Sequence, residues 1–221
     1  MLKKLLGNKS TCYTKTMNKI DYKKAVDSYK AKNHKIELIA VPKLQYLMVD
    51  GHGDPNTSKD FTDAVQALYP TAYKLKFVSK KELGKDYVVM PLEGLWWADD
   101  MTTFTTARDK SQWNFTLMIM QPNWITQEMF ENIVTEIAKK ESPAKLYDVR
   151  LETLDEGLSV QTLHVGSFDN EADILDQIHN RFIPERGLKM VGKHHEIYFS
   201  DFRKVSPDKL RTILRQPVVK C

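Results

Sequence analysis

The segment HHEIYFSD, residues 194–201, alternates in the way that is typical of a β-strand. Because successive side chains of a strand point to opposite faces of a sheet, Ile197 shares one face with Phe199. The other face carries three polar side chains: His194, Glu196 and Tyr198. We expect the apolar pair to pack against a helix, which would leave a carboxylate beside aromatic rings on the open side of the sheet.

Two stretches, YLMVDGHGDPN (46–56) and LHVGSFDNEAD (163–173), share a pattern in which a strand ends in a glycine-containing loop. Each is followed by a helical pattern and then by two more strand-like runs, of which HHEIYFSD is one. The order strand, helix, strand, strand therefore occurs twice, at about residues 40–122 and 146–221. We predict an α+β fold in which this tandem repeat forms antiparallel sheets, with helices on one face and a central ligand cleft.

Composition and charge narrow the class of protein. The chain has 221 residues, 42% of them hydrophobic, which is enough for a sizeable core, and we expect a single domain over residues 17–221. Residues 1–16 are polar, rich in lysine and without pattern, so we expect them to form an unstructured leader. The 33 basic residues are nearly balanced by 29 acidic ones, which argues against nucleic-acid binding.

The sequence has no membrane-spanning pattern. No apolar run reaches the roughly 18 residues that a spanning helix needs. The two cysteines, Cys12 and Cys221, lie near opposite ends of the chain, which argues against a structural disulfide and favours a reducing compartment. These observations predict a cytoplasmic protein without membrane contact.

A carboxylate in an apolar cleft is the first candidate for chemistry. If Glu196 lies on the open face of the sheet, three further residues are expected to line the same cleft: Met118, Met120 and His194. A carboxylate in such a place can bind a cation or act as a general acid or base. The alternative is an exposed glutamate, or one that pairs with an arginine.

The run PLEGLWWADD supplies a second group of candidates. Trp96 and Trp97 cannot face the same side of a strand, so at least one indole is expected over the cleft or at the surface. Indole rings bind flat aromatic ligands and cations. Glu93 is the acid closest to these tryptophans and is a further candidate ligand-binding residue. The alternative is packing at a sheet edge or in a dimer interface.

The sequence lacks the common motifs of cofactor and metal sites. Its six histidines do not have metal-ligand spacing, and DGHGDP (50–55) lacks both the dinucleotide-binding fingerprint and the lysine of a P-loop. No serine occupies a nucleophile motif. We therefore predict neither a metal nor a cofactor, and we expect any chemistry to be acid–base chemistry on a bound small molecule.

Five motifs in order carry a family resemblance: YLMVDGHGDPN, ALYPTAYKLKF, YVVMPLEGLWW, WNFTLMIMQP and HHEIYFSDFRKVSPDKLRTILRQPV. From about Met17 to Val219 the chain resembles the GyrI-like small-molecule-binding domain family, in its stand-alone bacterial branch. The resemblance implies a tandem repeat around a cleft, which is also the effector-binding domain of multidrug-responsive transcription activators. It further implies that a buried glutamate, carried over to Glu196 through HHEIY, meets cationic aromatic drugs.

Some stand-alone members of this family are hydrolases that open the cyclopropane of DNA-alkylating natural products. The resemblance implies that Glu196 orients or deprotonates water, while Tyr198 assists by a hydrogen bond either to Glu196 or to the substrate oxygen that gains charge. Aromatic units of the substrate would stack on Tyr73 and on one of three tryptophans: Trp96, Trp97 or Trp113. The implied partner is an aromatic small molecule, either cationic or cyclopropane-bearing, and the implied role is in drug resistance, as a monomer or homodimer.

Two alternatives to a hydrolase stay open at this point. A protein that sequesters a drug or senses a metabolite needs the same acid and the same rings, but no chemistry. The family name also suggests an interaction with DNA gyrase through protein contact. The sequence does not separate these roles, because none of them requires a residue that the others lack.

Overall fold

The computed structural model describes residues 18–100 and 109–221, so the predicted leader, residues 1–16, lies outside the described part. Within these ranges the chain has an α+β fold, which confirms the predicted class. Its strands are β1 Glu37–Val41, β2 Leu44–His52, β3 Glu93–Trp97, β4 Asn114–Gln121, β5 Arg150–Leu154, β6 Gly157–Val165, β7 Leu188–Met190, β8 His194–Tyr198 and β9 Arg211–Lys220. Its helices are α1 Tyr22–Ala25, α2 Lys59–Glu82, α3 Gln127–Lys140 and α4 Ala172–Asp176, which continues as a π-helical segment, Gln177–Phe182.

The nine strands of the described ranges belong to one antiparallel sheet in the order β1-β6-β9-β8-β3-β4-β2-β5, with β7 paired to β9. Strand, helix, strand, strand occurs as β2, α2, β3, β4 and again as β6, α4, β8, β9. The two halves meet where β3 pairs with β8. Each half also lends a leading strand to the other, since β1 pairs with β6 and β5 pairs with β2.

The helices cover one face of the sheet, which we call the helix face. Phe61 of α2 stacks on Trp96 of β3, with ring centroids 6.4 Å apart, and packs edge-on against Phe115 of β4. In the second half, Ile178 packs in one cluster with Leu214 of β9. α3 lies against α2. The long helices are therefore held on the same side of the sheet as Trp96.

The other face of the central strands, which we call the core face, is closed by the segment before β1. In this segment Tyr29 donates a hydrogen bond of 2.7 Å to Glu93 of β3. Ile197 of β8 lies on the core face, opposite Ile213 of β9, and is fully buried. The expectation that Ile197 packs against a helix is wrong, because both faces of the central strands are covered and alternation does not tell which of them carries the helices.

α2 is the longest helix in the described ranges, and the spacing of its apolar residues explains why it docks on the sheet. Five of its buried apolar residues form a stripe at helical spacing: Phe61, Ala64, Leu68, Ala72 and Leu75. Its remaining sides carry many lysines and acids. No helix in the two described ranges is both long enough and apolar enough to cross a membrane.

Candidate functional site

β3 and β8 place four side chains on the helix face at the centre of the sheet: Trp96, His194, Glu196 and Tyr198. The register sets Gly94 directly opposite Glu196. We call these four residues the inter-helix site, because α2 flanks it through Phe61 and the segment after α4 flanks it through His179. The three β8 side chains that the sequence groups on one face thus share that face with Trp96.

A hydrogen bond joins Trp96 and Tyr198. The indole Nε1–H donates to the phenol Oη at 2.9 Å. Because an indole nitrogen can only donate, the phenol oxygen must accept, and the phenol proton is available to another acceptor. Gly94 makes room for this pair, since a Cβ there would lie 2.8 Å from Trp96 Nε1 and 3.2 Å from Tyr198 Oη.

Glu196 is the acceptor next to the phenol. Burial, and then the charge and hydrogen bonding of Glu196, raise the pKa of Tyr198 well above its usual value. Tyr198 is therefore a neutral phenol that donates a hydrogen bond and keeps its proton at neutral pH. The Glu196 side chain is 16% exposed, so it is shielded on most sides but keeps part of its surface open to solvent.

Two histidines lie beside this carboxylate. His194 Nε2 is 3.6 Å from a Glu196 oxygen, and neither ring nitrogen of His194 has a hydrogen-bond partner among the described residues. His179 packs edge-on against His194, with centroids 6.0 Å apart. Burial, followed by His194, lowers the pKa of His179 to about 4, so this ring is neutral at pH 7. In the described part of the chain, no group of three or more His, Cys, Asp or Glu could hold a metal ion.

Aromatic rings extend from the site. Trp113 lies edge-on to Trp96, with centroids 5.8 Å apart. Phe168 lies edge-on to Tyr198 at 5.7 Å, and Phe202 follows at 6.5 Å from Phe168. Sequence analysis predicts Trp113 as a ligand-binding residue but misses the two phenylalanines. The signal that could have found them is a phenylalanine inside a polar loop, as in SFDN (167–170) and SDFR (200–203).

Four of the predicted ligand-binding residues lie on the core face: Glu93, Trp97, Met118 and Met120. Glu93 pairs with Met118 across β3 and β4, and both are fully buried. The ring of Trp97 has Lys193 Nζ 3.1 Å from its centroid. Glu93 and Trp96 are three residues apart, and an odd separation along a strand puts side chains on opposite faces. The structure does not bring these four side chains together with Glu196.

A buried ion chain lies directly behind the inter-helix site. Glu93 is 3.0 Å from Nε2 of His195, and Nδ1 of His195 is 2.9 Å from Glu156. Glu156 in turn accepts a hydrogen bond of 2.7 Å from Arg215. None of these side chains is more than 3% exposed. With His195 protonated, the chain contains two negative and two positive charges and is neutral.

The members of this ion chain set each other's charge. Burial opposes the charged form of His195, but the Glu156 and Glu93 carboxylates outweigh burial and raise the pKa of His195. Burial also opposes ionisation of Glu156, but His195 and Arg215 lower the pKa of Glu156 to about 2. The charges are paired, although Glu93 Oε2 and His195 Nε2 have no hydrogen-bond partner with good geometry among the described residues. The ion chain joins β3, β8 and β9.

Tyr73 lies in a separate cleft of about 720 Å³. Tyr69 and Tyr73 of α2 line one side, and the loop 201–204 lines the other. Phe202 of this loop contacts Phe168, which lies at the inter-helix site. The structure does not bring Tyr73, which is half exposed, together with Glu196.

Solved structures show what this chain is similar to. An uncharacterized conserved protein and a hydrolase, both from Listeria innocua, are each 38% identical to it, and each match covers 91% of this chain and 100% of the other, with TM-scores of 0.83 and 0.79. The C-terminal domain of EcmrR, 10% identical, shares the fold, with a TM-score of 0.51 over 85% of this chain and 98% of that domain. Among curated proteins none matches.

The family model described as the GyrI-like small molecule binding domain matches residues 34–219. This range contains the inter-helix site, the ion chain and strands from both halves of the sheet. The match covers most of the chain, as do the matches to the two structures from Listeria innocua. This chain therefore belongs to the GyrI-like small-molecule-binding domain family.

Proposed function

We propose that this protein hydrolyses the cyclopropane ring of DNA-alkylating natural products by glutamate-assisted addition of water. The observation that carries the proposal is the Trp96–Tyr198 hydrogen bond beside Glu196. Because Trp96 donates to the phenol oxygen, Tyr198 has its proton available to donate, while the neighbouring carboxylate can accept one. A hydrogen-bond donor for the oxygen that gains charge and a proton acceptor for water, in one shielded place, are the two groups that this addition of water uses.

The reaction is written for a cyclopropane conjugated to a carbonyl. Glu196 accepts a proton from water, and the water oxygen forms a bond to a ring carbon. A ring carbon–carbon bond breaks, and its electron pair moves into the conjugated carbonyl, whose oxygen gains charge and then a proton. Tyr198 donates a hydrogen bond to that oxygen as the charge develops. The net change is the addition of one water, with no oxidation or reduction.

The rings around Glu196 suit a flat aromatic substrate. Trp113, which is partly exposed, provides indole surface next to the buried Trp96, and His194 provides two ring nitrogens without hydrogen-bond partners among the described residues. A substrate held against these rings would displace water from the carboxylate, which strengthens its action as a base. We infer that the substrate is an aromatic compound whose strained ring lies between Glu196 and Tyr198.

Similarity to a hydrolase from Listeria innocua supports a hydrolytic role over binding alone. That relative is 38% identical over its whole length, which is much closer than the 10% identity of the effector-type domain of EcmrR. The competing role is a protein that binds the same compounds without changing them, because the acid and the rings serve both.

The test is to incubate the purified protein with a cyclopropane-bearing alkylator and to follow the product that is heavier by one water by mass spectrometry. Glu196→Gln is expected to lower kcat by about 10² to 10⁴, the usual contribution of a general base, while the dissociation constant stays within about threefold. The matched control, Glu82→Gln, changes an exposed glutamate at the end of α2 and is expected to leave both constants unchanged.

Each outcome bears on one role. Turnover by the wild type that Glu196→Gln abolishes supports the hydrolase. Tight binding of the compound, recovered unchanged after incubation with the wild type, overturns hydrolysis and supports sequestration. A Glu196→Gln variant with full turnover would remove Glu196 from the mechanism.

A further inference from the structure

The solvent side of α2 carries two exposed rings that belong to neither hydrophobic cluster of the fold. Tyr73 is 50% exposed, and Phe77, one turn further along the helix, is 58% exposed. Lys76 Nζ lies 4.3 Å from the centroid of the Phe77 ring, so the ring is held on one side. Positions 73 and 77 lie opposite the buried stripe of α2. Adjacent exposed rings of this kind are typical of an interaction surface.

The exposed rings are continuous with the cleft of about 720 Å³ described above. Gln66, Pro70 and Tyr73 line it from α2, together with the turn 141–143 and the loop 201–204. Phe77 lies one turn beyond Tyr73 and is not one of the lining residues. The cleft is large enough to take an aromatic side chain from another molecule.

A second copy of this chain presents a matching ring. In a pair related by a two-fold axis, the same surface of both copies forms the interface. If the two α2 helices run antiparallel and the axis lies at the level of Ala72, each Tyr73 meets its own copy. Phe77 of one copy then comes to the level between Gln66 and Pro70 of the other, where the cleft lies. Each copy therefore places a ring in the cleft of the other.

Two ion pairs give the position of Glu141 along α2. Lys74 of α2 contacts Glu136 of α3 at 2.6 Å, and Lys145, which follows α3, contacts Asp60 at the start of α2 at 2.8 Å. α3 therefore runs antiparallel to α2. Glu141 lies between Glu136 and Lys145 in the chain, so it lies beside the first half of α2, at the cleft that it lines.

Charge complementarity favours the antiparallel arrangement. Glu141 and Lys81 are both exposed, and neither has an ion pair within residues 18–100 and 109–221. Because side chains of a helix lean toward its N-terminus, Lys81 reaches back toward the level of Phe77, which faces the cleft of the other copy. The two-fold axis thus brings Lys81 of each copy to Glu141 of the other. A parallel arrangement would bring Lys81 next to Lys81.

We propose that the exposed side of α2 is the interface of a symmetric homodimer, in which α2 packs antiparallel on α2 of a second copy and Phe77 enters the cleft of that copy. The proposal does not rest on the proposed function. The loop 201–204, which lines the cleft, follows β8 directly, so the second copy lies against the loop that continues the strand of Glu196.

The test is analytical ultracentrifugation of the full chain over a range of concentrations. The wild type is expected to sediment as a dimer that dissociates on dilution. Phe77→Asp puts an unpaired charge in the interface twice, and it is expected to raise the dimer dissociation constant at least about a hundredfold. The control is Leu38→Asp, at a residue of β1 that is 44% exposed, and it is expected to leave the constant unchanged. Circular dichroism melting curves show that both variants fold.

A charge exchange tests the direction of the helices without changing a ring. Glu141→Lys and Lys81→Glu are each expected to raise the dissociation constant about tenfold, and their combination is expected to restore it to within about threefold. Glu185→Lys, at an exposed residue of the second half, is the matched control and is expected to have no effect.

Three outcomes overturn the proposal. The first is a wild type that is monomeric at about 100 μM, since a specific symmetric interface forms at that concentration. The second is a dimer that Phe77→Asp leaves intact or that Leu38→Asp dissociates instead, because the interface then lies elsewhere. The third is a double variant of Glu141 and Lys81 that is no better than the single variants, because the antiparallel pairing of α2 is then wrong.

Discussion

β3 and β8 have different surroundings on their two faces. Neighbouring residues of the same strand therefore lie in different environments. On the core face, Glu93, His195, Glu156 and Arg215 are almost fully buried, and each has an opposite charge within 3.0 Å. On the helix face, Glu196 and His194 keep part of their surface exposed, at 16% and 13%, and the nitrogens of His194 have no hydrogen-bond partner among the described residues. The comparison teaches that the same two strands carry a buried, charge-paired ion chain on one face and, on the other, the partly exposed groups that we propose as the ligand site.

The largest effect is expected from a substitution that breaks the ion chain. Arg215→Leu leaves the Glu156 carboxylate buried without its guanidinium partner, and the free energy of unfolding should fall by about 3 to 5 kcal/mol, the usual cost of removing one member of a buried pair. Urea denaturation followed by circular dichroism measures this change. The matched control is Arg211→Leu, which changes an exposed arginine on the same strand and should cost far less. Similar losses in the two variants would contradict a stabilising role for the ion chain.

An effect of intermediate size concerns pH, and two histidines should act with opposite sign. Because the folded protein raises the pKa of His195, this residue stabilises the fold fully below its unfolded pKa of about 6.5, and that stability is lost as the pH rises through the folded pKa. Because the folded protein lowers the pKa of His179 to about 4, its contribution is full above about 6.5 and is lost as the pH falls toward 4.

Urea titrations between pH 4 and about 9 measure both arms, each with a slope of at most about 1.4 kcal/mol per pH unit for one proton. His195→Gln should remove the alkaline arm, and His179→Gln the acid arm above about pH 5, since below that pH the lowered pKa values of Glu156 and Asp201 add a slope of their own. His34→Asn, at an exposed residue with a positive φ of 57°, should leave both slopes as in the wild type. An unchanged alkaline slope in His195→Gln would show that His195 is not protonated in the folded chain.

The smallest effect is expected for an exposed ion pair, which serves as the comparison for the buried ion chain. Lys43 lies 3.0 Å from Asp155, but the two side chains are 71% and 53% exposed. Lys43→Gln should therefore change the free energy of unfolding by no more than about 0.5 kcal/mol, and less in high salt. Urea denaturation at low and high salt measures it. A loss as large as that of Arg215→Leu would mean that burial does not separate these two kinds of pair.

Much of the inter-helix site follows from the sequence, because strand alternation is a local property. It groups His194, Glu196 and Tyr198 on one face of β8, and it shows that only one of the two adjacent tryptophans can join them. Alternation also separates Glu93 from Trp96, which are three residues apart. Glu93 is a candidate because it is close to the tryptophans in the sequence. Strand alternation is the better guide, because it puts Glu93 and Trp96 on opposite faces.

The remaining features depend on pairing between distant strands. Met118 and Met120 lie on one face with Tyr46 and Met48, and only the register of β2, β4 and β3 shows that this is the face of Glu93. Glu156 and Arg215 are 59 residues apart, and no local pattern marks either of them as a partner. Such contacts are set by the fold as a whole, so one sequence without relatives gives no sign of them.

The crossing of the two leading strands makes the halves of this chain depend on each other. β1 comes before the first half yet completes the sheet edge of the second, and β5 does the reverse. A fragment with either half alone would expose an unpaired edge at β2 or β6, which invites aggregation. The duplicated units are thus no longer separable modules: a change in one of them must be tolerated by the other, whose outermost strand it supplies.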